Sequence, residues 1–313
     1  MDLFPPVAPY SSGYLDVDEP HKLYWEQSGN PDGVPVVMLH GGPGAGASPV
    51  HRRFFDPDYY RIIIFDQRGA GRSQPLGETR QNDLPALIRD IETLRSHLRI
   101  NKWHIFGGSW GSTLALAYAQ AHPDRCITMV LRGIFLMESD EIDWFINGMK
   151  MLFPEAWEQF ANLFPPGERG NLLAQYHERL NCGDTEKELE AAIRWSLYEG
   201  ACSSLYPNYE TITTDEQKNH ALALAKIESH FFYHHVIAVK DSLMNGINKI
   251  RHIPATIIQG RYDAVCPIIT AHRLHAAWPE ADYIVVPDGG HSALDPAIRS
   301  RLVEATENMK TLI

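Results

Sequence analysis

The segment Gly107-Gly108-Ser109-Trp110-Gly111 stands between a continuous apolar run, Trp103 to Phe106, and an Ala-rich stretch, Ser112 to His122. A chain that passes from a buried strand into a helix over so few residues must turn sharply. Glycines two before and two after the serine remove the side chains that would clash in such a turn. The strand half of the pattern recurs as VPVVML before His40, RIIIF before Asp66 and CITMVL before Arg132. Apolar runs without alternation suit strands covered on both faces, the situation of parallel sheets. Between two of them, Asn82 to Leu98 carries apolar residues at three- and four-residue spacing, which predicts a helix. Strands alternating with helices imply a mostly parallel sheet with helices on both faces. Nearer the start, GYLDV and HKLYWEQSG flank turn residues at Asp18 to Pro20 and read as an antiparallel hairpin.

The pattern changes after Gly133. From Ile134 to Lys249 strand signals vanish and the sequence reads as helices rich in Trp, Phe and Tyr. Thr185 with Glu188, and Thr214 with Gln217, have the spacing of capping boxes that open two of these helices. The strand pattern resumes with PATIIQGRYD, then a helical ITAHRLHAAW, then ADYIVVPDGGH. We therefore expect a core domain of residues 1–133 and 250–313 interrupted by a helical cap domain, 134–249. At 313 residues, a single sheet-based core plus an insertion is a reasonable division.

Composition narrows the functional classes. Hydrophobic residues at 44% and charged residues at 21% are the mix of a soluble globular protein, and no apolar run approaches the ~18 residues of a membrane span. A formal charge of -11 argues against nucleic acid and anionic lipid as partners. Cys126, Cys182, Cys202 and Cys266 form no CxxC pair and no disulfide framework. MDLFPPVAPYSSG has neither a basic nor an apolar leader region, so we expect a cytoplasmic protein.

Chemistry enters at Ser109. A serine on a strand-to-helix turn sits at a helix N-terminus, where free N–H groups and the helix dipole favour developing negative charge. Its hydroxyl is a poor nucleophile without a histidine base and an orienting carboxylate. Asp263 ends the strand ATIIQGRYD, and His291 follows the next strand in PDGGHSA, so both fall at carboxyl ends of strands. His272 and His275 lie inside a helix, and Asp282 opens its strand at the opposite end. Asp288, in the loop of His291, is the second candidate for the acid.

After VPVVML comes His40-Gly41-Gly42-Pro43-Gly44. A Gly-rich loop there supplies one oxyanion-hole N–H and the residue after the nucleophile supplies another, which selects Gly42 and Trp110. No Gly-Lys-Ser/Thr follows, so the loop is not a phosphate cradle. Asp66 to Ser73, DQRGAGRS, lacks the third glycine of a dinucleotide fingerprint and reads as a structural turn near the site. His230 and His234 are one helical turn apart, but without HExxH they point to packing or surface, not to a metal. The residues by themselves thus predict a serine hydrolase.

HGGPG, DQRGAGRS and GGSWGS, in this order, resemble the proline iminopeptidases, and the resemblance runs from LDVDEPHKLYWEQSGNP to GRYDAVCP and GGHSA. It implies an α/β-hydrolase fold with a helical cap, and an aminopeptidase that releases N-terminal proline from peptides without a cofactor. It also implies that cap glutamates read the free amine, Glu199 in WSLYEG and Glu228 in KIESHFF, and that Phe135, Phe145 and Phe232 wall an apolar proline pocket. LMESDEID, after Phe135, is acidic where the family leads one to expect a more basic stretch. The alternative is an esterase or other acyl hydrolase built on the same triad, for which acidic cap residues facing the site would have no use.

Overall fold

The computed structural model describes residues 1–206, 211–234 and 242–312. Its sheet has eight strands: β1 (Pro9–Asp16), β2 (Lys22–Gly29), β3 (Val34–Leu39), β4 (Tyr60–Phe65), β5 (Trp103–Gly108), β6 (Cys126–Arg132), β7 (Ala255–Gly260) and β8 (Asp282–Val286). They are ordered β1-β2-β4-β3-β5-β6-β7-β8. β1, β2 and β4 pair antiparallel, and every other neighbour pair is parallel, from β4–β3 through to β7–β8.

Alternation along the central strands divides the core in two, because successive side chains of a strand point to opposite faces. Val37, Leu39, Ile63, Phe65 and Ile105 join one buried cluster, while Val36, Met38, Ile62, Ile64 and Phe106 join another. The first face is covered by α1 (Leu84–His97), α2 (Trp110–Ala121) and α8 (Ile268–Ala277), and the second by α9 (Pro296–Met309). Both sides of the central strands are therefore dry, which is why their sequences run apolar without a break. Each such Ile or Leu contributes about 1.5–3 kcal/mol by burial.

Between β6 and β7 the chain forms α3 (Ser139–Asp143), α4 (Pro154–Ala161), α5 (Leu172–Leu180), α6 (Thr185–Ser203) and α7 (Asp215–His234). Their aromatic residues pack on one another: Phe160 stacks on Tyr176 at 4.2 Å, and Tyr198 stacks on Phe160 at 4.5 Å. Phe145, Trp195 and Phe232 continue into the same buried cluster as Trp110, so these helices share a core with the sheet. Thr214 and Gln217 form the reciprocal cap that their spacing predicts, with Gln217 N–H on Thr214 Oγ1 and Thr214 N–H on Gln217 Oε1. At α6 the expectation is off by one residue. Asp184 is the N-cap and accepts from Lys187 N–H, because a carboxylate competes better for free N–H groups than the neighbouring Thr185 hydroxyl. Among the described residues no helix is long and apolar enough to cross a membrane.

Candidate active site

Ser109 sits between β5 and α2 with φ 57° and ψ -128°, a conformation that costs a non-glycine residue free energy. The surroundings hold it there. Its N–H donates to Arg132 O at 2.8 Å, anchoring the turn to β6. A Cβ on Gly111 would collide with the carbonyl oxygen of Leu39, so only glycine lets α2 start this close to β3.

Asp263 follows β7, and its carboxylate is surrounded by donors. Cys266 N–H reaches Oδ1 at 2.8 Å, and Gln259 Nε2 reaches Oδ2 at 3.1 Å. His291 Nδ1 lies 3.0 and 2.9 Å from the two oxygens. His291 Nε2 is 3.2 Å from Arg132 Nη1, which also donates to His291 O at 2.8 Å. An arginine can only donate and a carboxylate only accept, so this arrangement places the imidazole proton on Nδ1 and the lone pair on Nε2. That is the tautomer a general base needs. Gly133 lies between the two groups: a Cβ there would come within 3.1 Å of His291 Cε1 and 3.2 Å of Asp263 Oδ2. Asp288 is exposed, away from these contacts.

Gly42 and Trp110 line the same small cavity as Ser109. The loop that carries Gly42 is tied to DQRGAGRS: Gln67 N–H donates to His40 Nε2, Gln67 Nε2 to His40 O, and Trp110 Nε1 to Gln67 Oε1. Asp66 accepts from Arg72 and from Ala47 N–H. The segment is therefore a brace for the Gly-rich loop and for the first residue of α2.

The cavity's other walls are Phe135, Phe145, Phe232, Glu141, Glu199, Glu228 and Cys266. Phe232 packs on Phe135 at 5.9 Å and on Phe145 at 5.4 Å. The cavity encloses about 20 Å³, the room of a water molecule.

Glu199 on α6 and Glu228 on α7 lie within hydrogen-bonding reach of each other. Trp195 Nε1 donates to Glu228 Oε2 at 2.6 Å, whereas no N–H or hydroxyl donor reaches the buried Glu199 Oε2, whose neighbour is the Glu228 carboxyl. Burial pushes both carboxyl pKa values upward, and the charge of Glu199 adds to the rise at Glu228. A donor-poor carboxylate pair beside an apolar cavity is a site for a cation.

Several residues here carry no local signal. Arg132 ends an apolar strand and lies half-buried against His291; Trp195 bonds Glu228 and Gln259 bonds Asp263; and Glu141, from the acidic LMESDEID, turns inward to accept from Leu136 and Glu138 N–H. Burial pushes the Glu141 carboxyl up to about 7. Cys266 is buried beside Ser109, and burial pushes its thiol well above the ordinary range. His230 Nε2 donates to Asn82 O at 3.1 Å, and among the described residues no cluster of metal-ligating side chains occurs.

Residues 34–297 match the alpha/beta hydrolase fold family. Proline iminopeptidase of Arabidopsis thaliana is 52% identical over 99% of this chain and 83% of its own length. Proline iminopeptidase of Xylella fastidiosa is 49% identical over 98% of each chain. The solved proline iminopeptidase of Mycobacterium smegmatis superposes with a TM-score of 0.62 over 96% of this chain and 98% of its own, at 17% identity, which speaks to the fold alone. Identity near one half along almost the whole length settles the kinship: the chain belongs to the proline iminopeptidase family of α/β hydrolases.

Proposed function

We propose that this enzyme releases proline from the free N-terminus of peptides, with residues 134–249 acting as the cap domain that reads the substrate and residues 1–133 and 250–313 as the catalytic core. Ser109 Oγ attacks the prolyl carbonyl carbon while His291 Nε2 takes its proton, giving up the long contact with Arg132 to do so. Asp263 holds the imidazole tautomer and stabilises the imidazolium. The N–H groups of Gly42 and Trp110 receive the oxyanion. His291 then protonates the departing amine, and water hydrolyses the prolyl ester of Ser109 with the same base. Phe135, Phe145 and Phe232 hold the ring, and Glu199 and Glu228 hold its cationic nitrogen.

The observation that carries this reading is the pair Glu199 and Glu228, two desolvated carboxyls with no cation between them, on the wall of the cavity that contains Ser109. A hydrolase of neutral esters gains nothing from two desolvated acids there. The test compares prolyl amide with its N-acetylated form. Loss of turnover on acetylation supports the aminopeptidase; equal rates would favour a general acyl hydrolase.

A further inference from the structure

The cavity that would hold proline is small, so the rest of a peptide must lie outside it. A second, larger cavity of about 550 Å³ lies against it. The two share Gly42, on the oxyanion side, and Glu199, on the amine side. The far wall of the groove includes Ser203, whose carbonyl accepts from Ser292 N–H at 2.8 Å, next to His291. The groove thus runs between the Gly-rich loop and the loop of the general base, where the amine freed by acyl transfer must emerge.

Two polar atoms of α6 on its wall are sealed from solvent, Ser196 Oγ, which lacks a partner, and Glu199 Oε2, which no N–H or hydroxyl donor reaches. A buried polar atom without a partner costs free energy unless a ligand supplies the missing bond. The amine accounts for Glu199, but Ser196 lines only the larger groove and needs a different group, such as a peptide N–H or C=O. Glu216 and His220, successive turns of α7, are exposed along the same groove, and no lysine or arginine lines it among the described residues.

We infer that this groove binds the leaving part of the peptide, the residues after proline, and that Glu216 makes it favour cationic side chains there over acidic ones. The inference rests on the aminopeptidase reading above. Because Glu216 is exposed, its attraction is that of a surface ion pair, weak and screened by salt.

The test uses three tripeptide amides, Pro-Lys-Ala, Pro-Ala-Ala and Pro-Glu-Ala, whose amidated ends remove the terminal carboxylate. The wild-type kcat/KM should fall in that order, with lysyl over glutamyl by about fivefold at low ionic strength. The preference should shrink in high salt. Glu216→Gln should bring the lysyl-to-glutamyl ratio close to one, and Glu216→Lys should invert it. Glu216 lies on the surface at the start of α7, and a thermal melt shows whether each variant is folded. A wild-type ratio of one, or a ratio that Glu216→Lys leaves unchanged in a folded protein, overturns the inference while leaving the aminopeptidase intact. Failure of the wild type to cleave Pro-Ala-Ala amide overturns both.

Discussion

Buried acids of the sheet and of the helices between β6 and β7 are treated in opposite ways. In the sheet region Glu26, Asp66 and Asp90 each come with a counter-ion. Glu26 accepts from Arg52 Nε at 2.6 Å and Arg72 Nη1 at 2.9 Å, Asp66 accepts from Arg72 Nε at 2.7 Å, and Arg68 Nε meets Asp90 at 2.6 Å. Among those helices Lys226 of α7 reaches Glu188 of α6 at 2.7 Å, and buried Glu138 meets Arg273. About three turns along α6, and two residues along α7, the same two helices bring Glu199 against Glu228 with no cation among the described residues. On the function proposed above, a positive charge from outside completes that place. The difference then separates charges that hold the fold from charges that wait for a ligand, a distinction that burial alone does not reveal.

Variants should respond according to which group they touch. The largest effect belongs to the proposed nucleophile and acid: Ser109→Ala and Asp263→Asn should each cost about 10⁴ in kcat, on prolyl amide and neutral aryl ester alike. Asp288→Asn, at an exposed position, should cost little. Steady-state kinetics on both substrates checks this, and a severe Asp288→Asn would reassign the acid.

Next come the charges that hold the fold. Arg68→Met strands Asp90 and should lower unfolding free energy by about 3–5 kcal/mol in a denaturant titration. Glu228→Gln removes a desolvated acid with no counter-ion, so it should leave stability unchanged or raise it. If both variants destabilise equally, the contrast between the two regions fails.

The gentlest probe is pH. A cationic imino group needs the cap pair charged, and burial raises both carboxyl pKa values, so protons compete with substrate at pH values above the ordinary glutamate range near about 4.3. The kcat/KM ratio of prolyl amide to aryl ester should therefore fall on acidification while His291 and Ser109 serve both substrates. A ratio that stays flat from about pH 8 to 5 would mean the pair binds no cation.

The sheet was legible because its signals are local. Unbroken apolar runs mark strands buried on both faces, and Ser109, Asp263 and His291 each follow a strand end, of which Asp263 and His291 meet directly. The cap was legible as helices but not in its contacts. Nothing near Arg132 in the sequence says that its guanidinium meets His291, nor that Trp195 bonds Glu228, since both depend on how distant elements pack. Glu199 and Glu228 were reached through the family resemblance; their desolvation, which gives them a physical reason to bind a cation, emerges only when α6 and α7 are placed together. The N-cap at Asp184 in place of Thr185 shows the limit of spacing rules where two capping residues adjoin.

The central claim is that Glu199 and Glu228 supply the missing counter-charge for a free prolyl N-terminus. Its most direct measurement is the kcat/KM of Glu199→Gln and Glu228→Gln on prolyl amide beside a neutral aryl ester. Truncating one partner of a buried, hydrogen-bonded charge pair costs about 2–5 kcal/mol, so each variant should lose that much on the prolyl amide and far less on the ester, which still meets an intact triad and oxyanion hole. Equal losses on the two substrates would show that the two acids only support the fold.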